Sequence, residues 1–275
     1  MKNTLAIIYD FDLTLSPVGM QDFGLFQKLK TTEDEFMKEV REFAKEHNSD
    51  FLLSFMLNIL KNAKSKRVKI TKDFLKSTGK NAIYFKGVET WFDRINEFGK
   101  KHDIDVEHFI ISAGNREILE GTSIFKKFKR VYACEFLYNE KGEPYWPRLV
   151  VNHTLKTQFL FRIRKNLLDD LYNDKHINDK FEDEKQLPFN HIIYLGDGDT
   201  DVPCMQIVTN RGGLSLSVYD EKNRKKKHFA EDLLEDKRVG AFVKADYSEN
   251  SEIDKIIKKQ ILKLSKEYKK NKKHD

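Results

Sequence analysis

Cysteine is nearly missing from this chain: Cys134 and Cys204 are its only two, and they match no metal-ligand spacing. That excludes a disulfide framework and makes a reducing compartment the default. Long apolar runs are missing too. No stretch approaches the ~20 apolar residues of a membrane-spanning helix, so no membrane partner is expected. The run at residues 5–9 is apolar for five positions before Asp10 and Asp12 interrupt it. It is too short for a secretory signal and has no small-residue cleavage site. The expected localisation is cytoplasmic. Histidine and cysteine clusters are also lacking, which leaves zinc and iron without their usual ligands.

What is present suits one sizeable core, or a core domain with a modest insertion: 275 residues, 39% hydrophobic and 34% charged. The net charge of +6 gathers at residues 222–227 (KNRKKK) and 255–273. These read as a solvated loop and a lysine-rich terminal helix fraying into a tail. They do not read as a nucleic-acid footprint, because the lysines of the tail are not interleaved with stacking aromatics. No internal repeat is visible, and nothing in the pattern fixes an oligomeric state.

Three short apolar runs predict buried strands at residues 5–9, 108–111 and 191–195. Further strands are expected at 130–138, 214–219 and 239–245, with a turn at 141–144 that would close a hairpin. Helical periodicity fills residues 16–85. Thr32 and Glu35 have capping-box spacing, residues 48–50 are a second start signal, and 71–79 is a short helix stopped by glycine. Trp91, Ile95 and Phe98 mark another helix, residues 155–171 a further one, and 173–185 a polar exposed loop. Strands alternating with helices predict an α/β fold with a parallel sheet covered on both faces. The helical block at 16–85 reads as an insertion.

Three strand ends carry polar groups. Asp10, Asp12 and Thr14 follow the first strand, Ser112 the second, and Asp197, Asp199 and Asp201 the third. Sites of open parallel sheets lie beyond such ends, so neighbouring strands would gather these carboxylates. Two carboxylates ~4 Å apart repel by roughly 4 kcal/mol at an effective dielectric near 20, and a divalent ion reverses the sign. Magnesium suits an all-oxygen set completed by a substrate phosphate. A calcium loop of the helical-hand type is excluded, because Val202 and Val208 stand where it needs glycine and glutamate. Asp10 as nucleophile would accept the phosphoryl group of a small phosphate ester. Asp12 would serve as acid and base, Ser112 as a donor, and Lys156 as the cation. Singly, Ser112 also reads as a helix cap and Lys156 as a surface lysine, and Asp199 as a capping or supporting residue. Phe51, Phe55 and Met56 read as packing.

Four motifs in this order resemble the haloacid dehalogenase-like (HAD) superfamily of phosphatases: DFDLT at 10–14, HFIIS ending at Ser112, TLKT around Lys156, and GDGDTD at 196–201. The resemblance implies a Rossmann-like catalytic core, residues 1–15 and 86–275, with a helical cap at 16–85 inserted after the first strand. It implies Asp10 as nucleophile and magnesium ligand, and Asp12 as acid/base with its carbonyl on the metal. Asp197 and Asp201 complete the metal site, and Ser112 and Lys156 bind phosphate. An aspartate at position 12 points to a phosphatase or phosphomutase over a dehalogenase. The order of elements is similar to phosphoserine-phosphatase-like members. Lys165 is the rival for the role of Lys156.

Overall fold

The computed structural model describes residues 3–169, 171–173, 175–179 and 186–271. β1 (Thr4–Tyr9) is buried at every position, as a central parallel strand must be when both faces are covered. The helical insertion follows as α1 (Leu25–Lys28), α2 (Glu33–His47), α3 (Phe51–Ser65) and α4 (Lys72–Thr78). Then come α5 (Val88–Lys101), β2 (Asp105–Asn115), α6 (Arg116–Glu120), β3 (Arg130–Tyr138), β4 (Pro144–Leu149), α7 (Leu155–Arg164) and the single turn α8 (Lys175–Asn178). β5 (Ile192–Gly196), α9 (Val202–Asn210), β6 (Leu214–Tyr219), α10 (Arg224–Glu235), β7 (Ala241–Lys244) and α11 (Glu252–Asn271) complete the chain.

The seven strands form one sheet in the order β4-β3-β2-β1-β5-β6-β7. All neighbours are parallel except β3 and β4, which close the expected hairpin antiparallel. This is the Rossmann-like α/β arrangement with one antiparallel edge. β1 lies between β2 and β5, with Tyr9 opposite both Ile110 and Leu195. The three strands that carry the polar ends are therefore adjacent and in register.

Local chemistry explains the helix boundaries. Thr32 and Glu35 form the reciprocal capping box, and Asn48 in the left-handed region ends α2. Asp50 caps α3 through the Leu53 N–H at 2.9 Å, and Thr71 caps α4. Gly79 does not stop α4 by a left-handed turn, because its φ is −59°. It serves close packing instead: a Cβ there would lie 2.0 Å from the Ile118 carbonyl oxygen, and one at Gly121 would lie 1.7 Å from that of Lys76. The insertion and α6 meet backbone to backbone.

α7 is shorter than the expected 155–171. Asn166 turns left-handed, with φ 54°, while Asn166 N–H donates to Ile163 and Leu167 N–H to Arg162. That pair of bonds terminates a helix by satisfying its last carbonyls. Of the expected loop at 173–185, Asp174 and 180–185 lie outside the described residues, and α8 forms within the remainder. The terminal helix does not fray near Lys255. Ile253, Ile257, Ile261 and Leu264 of α11 are buried against the core, and positions 272–275 of the expected tail lie outside the described residues. Among the described residues no helix is long and apolar enough to cross a membrane.

Candidate active site

The Asp10 N–H still donates to Leu195 at 2.9 Å, as the last rung of the β1–β5 ladder. Beyond it the chain turns sharply. Leu13 adopts φ 58°, and the N–H groups of Leu15 and Ser16 return to the Phe11 carbonyl at 2.9 and 3.1 Å. In a straight strand Asp10 and Asp12, two positions apart, would share one face. The turn brings Asp12 within electrostatic reach of Asp10 and Asp197. Thr14 is fully buried, and its carbonyl accepts from the Tyr247 hydroxyl at 2.9 Å.

Asp10, Asp197 and Asp201 are buried, each offering a carboxylate oxygen within 4.8 Å of the others. Lys156, fully buried on α7, donates to Asp10 Oδ2 at 2.9 Å and Asp201 Oδ1 at 2.7 Å. Burial opposes its charge, but the two carboxylates outweigh burial and hold the ammonium well above the ordinary lysine range. Asp10 Oδ1 accepts the Phe11 N–H at 2.7 Å. Burial pushes the Asp10 carboxyl well up, Lys156 offsets part of this, and Asp201, Asp197 and Asp12 push it further. Asp201 also accepts the Tyr194 hydroxyl at 2.7 Å. Its carboxyl lies against Gly196, where a Cβ would stand 2.4 Å from Asp201 Cγ, so only glycine fits at this strand end.

Asp12 accepts the Met20 N–H at 2.8 Å. Burial raises its carboxyl to about 7, the Met20 bond pulling down and Asp197 adding to the rise. A group poised there can give and take a proton near neutrality. Ser112 is fully buried, and its Oγ accepts the Gly114 N–H at 3.1 Å. By the strand register it sits two residues past Ile110, the partner of Tyr9.

The structure thus brings Asp10, Asp12, Asp197, Asp201 and Lys156 together, with Ser112 on the adjoining strand end. Lys165 is elsewhere, donating to the carbonyls of Ile177 and Asp179. Asp199 is exposed. Arg116 is turned towards Glu120 and the Val131 carbonyl.

Two features escape the sequence reading. Lys226, in the segment read as a solvated loop, lies in the first turn of α10 and donates to Asp197 Oδ2 at 2.7 Å. The signal was topological: β6 lies beside β5, so the segment leaving it emerges at the same sheet edge. Phe51 and Phe55, read as packing, also line a cavity of about 240 Å³ between α3 and the core, together with Asp12, Gln21, Gly114 and Thr200. A more open hollow of about 860 Å³ runs past residues 82–90, and none of the clustered acids lines it.

The residues fit a hard divalent cation. Asp201 Oδ2 is buried without a hydrogen-bond partner among the described residues, an expensive state that a cation would relieve. Asp10, Asp12, Asp197 and Asp201, when ionised, exceed the charges of Lys156 and Lys226 by two, and every donor is an oxygen, as magnesium prefers.

No protein-family profile matches this sequence. An uncharacterized protein of Borreliella burgdorferi is 27% identical over 293 residues, covering 94% of this chain and 97% of its own. Among solved structures, an apo phosphoserine phosphatase superposes with a TM-score of 0.57 at 13% identity, over 93% of this chain and 98% of that one. A HAD-family hydrolase from Salmonella enterica serovar Typhi gives 0.56 at 18% identity over 82% of this chain, which spans 65% of the length of that hydrolase.

Proposed function

From a fold that is haloacid dehalogenase-like, of the kind found in phosphoserine phosphatases, we propose that this chain is a magnesium-dependent phosphomonoester hydrolase acting through an aspartyl-phosphate on Asp10. One observation carries the reading: a buried carboxylate at the end of the central strand is paired with a buried lysine and shares its surroundings with two further aspartates. The Lys156 bond orients Asp10 and offsets part of the burial that disfavours its charge. Asp10 attacks phosphorus, and the P–O bond to the alcohol breaks as Asp12 donates a proton to the departing oxygen. Asp12, now a carboxylate, removes a proton from water, which hydrolyses the acyl phosphate and frees Asp10. Lys156 and Ser112 face the phosphoryl oxygens. Asp10, Asp197, Asp201 and the Asp12 carbonyl would hold magnesium, which when bound supplies charge stabilisation to the phosphoryl group. Residues 16–85 would serve as the cap that excludes water from the acyl phosphate.

Asp10→Asn keeps the shape and removes the nucleophile. Phosphate release from p-nitrophenyl phosphate in magnesium should fall to background, while Asp12→Asn should retain activity reduced by roughly 10² to 10⁴. Turnover by Asp10→Asn at more than a per cent of the parent rate would rule out the covalent route.

A further inference from the structure

The cavity beside Asp12 has an unusual lining for a site that handles anions. Its floor is Gly114 and the Asp12 turn, and its outer wall is Phe51, Leu52 and Phe55 of α3. Neither lysine nor arginine is among the described residues that line it. Asp12 and Asp50 do line it, and among the described residues neither forms an ion pair.

The polar lining is largely committed within the protein. Asp50 Oδ1 caps α3, and its Oδ2 accepts the Asn152 amide at 3.2 Å. Asn152 Oδ1 accepts from Leu155 N–H at 3.0 Å and from the Thr154 hydroxyl at 3.1 Å. Gln21 gives its amide to Asn115 Oδ1 at 3.3 Å. His153 is exposed at the rim. Lys156 and Lys226 are held by Asp10, Asp201 and Asp197, on the phosphoryl side.

We infer that the leaving group of the phosphate ester is a small alcohol with an apolar body and no negative charge. This rests on the hydrolase reading above and narrows its substrate class. A carboxylate or second phosphate placed here would lose water, meet aromatic and aliphatic carbon, and face the Asp50 carboxylate with no lysine or arginine in the lining to pair with. A methyl- or methylene-rich alcohol gains from the same wall, and a cationic one gains further from Asp50 and the phenylalanine faces. Phosphoserine, the substrate in the name of a protein sharing the fold, carries a carboxylate and fits poorly.

The test compares four esters on the full-length chain with magnesium: p-nitrophenyl phosphate as reference, n-butyl phosphate, phosphocholine and O-phosphoserine. Both n-butyl phosphate and phosphocholine should exceed phosphoserine in kcat/KM by at least tenfold. Phosphoserine turned over as well as either one overturns the inference. Leu52→Lys, at a half-buried position, places a cation on the wall and should shift the ratio towards phosphoserine at least fivefold. Asp50→Asn, which keeps a capping oxygen, should shift it the same way. Unchanged ratios in both, with native circular dichroism, also overturn the inference. If the reference ester itself is not hydrolysed, the phosphatase reading has failed and takes this one with it.

Discussion

Lys156 and Lys226 grip the same acidic cluster from different elements, one wholly buried and one a third exposed. The difference matters for metal binding. Lys156 pairs two acids inside the core, whereas Lys226 donates to Oδ2 of Asp197, a proposed magnesium ligand, and competes with an ion for its charge. Lys226→Met should therefore tighten magnesium binding, measured calorimetrically, by about tenfold, or roughly 1.4 kcal/mol. Weaker binding would mean that the lysine supports the ion. Gly196→Ala acts at the other side of the cluster. Its new methyl would collide with the Asp201 carboxyl, so metal affinity and turnover should both fall by more than tenfold while the fold persists. Unaltered magnesium affinity would show that Asp201 has room to move.

At the scale of elements, few backbone hydrogen bonds tie the insertion to the core among the described residues, and each limits how it can sit. Phe85 N–H reaches the Leu15 carbonyl at 2.9 Å, and Lys72 N–H reaches that of Gly142 at 3.0 Å. The glycines at 79 and 121 let α4 lie directly on α6. Gly121→Ala has no flexible neighbour to push aside, only the Lys76 carbonyl, and should cost about 1 to 3 kcal/mol as overpacking does. Urea denaturation would check the value, and a loss under 0.5 kcal/mol would mean the elements separate freely. The same alignment was partly legible in sequence. Thr32, Glu35, Asp50 and Thr71 announce their helices because capping chemistry is local. Asn166 carries no such local signal, since the apolar period continues through Leu168 and Leu171 while the chain has already turned there.

Across the whole molecule, a buried polar chain links the sheet to α5. Trp91 Nε1–H donates to the Tyr9 hydroxyl at 2.8 Å, Tyr9 donates to His108 Nδ1 at 3.0 Å, and His108 Nε2–H meets Asn96 Oδ1 at 3.0 Å. Those partners assign His108 a neutral tautomer. Burial lowers its imidazole to about 3, against about 6.5 in an unfolded chain. The folded pKa is depressed, so the unfolded state binds the proton first as pH falls. The contribution of His108 is intact above about pH 6.5 and is lost at about 1.4 kcal/mol per pH unit on the way down to pH 3. Comparing urea unfolding of the parent and His108→Gln between pH 7 and pH 5 isolates this slope. Parallel curves would show that His108 takes its proton within the fold.

The acids at three strand ends were readable from the chain because a buried strand is a short apolar run and its end is marked where charge begins. Asp10, Asp12, Asp197 and Asp201 announced themselves in that way, as did the α/β alternation around them. Adjacency was not readable, because which strands become neighbours depends on crossover connections that leave no local trace. Only the assembled fold set β1 between β2 and β5, placed Lys156 against Asp10 and Asp201, and delivered Lys226 to Asp197. The wall of Phe51, Leu52 and Phe55 followed the same rule: helical spacing marks a residue as apolar-facing, but whether that face meets core or cavity is decided by what packs opposite it.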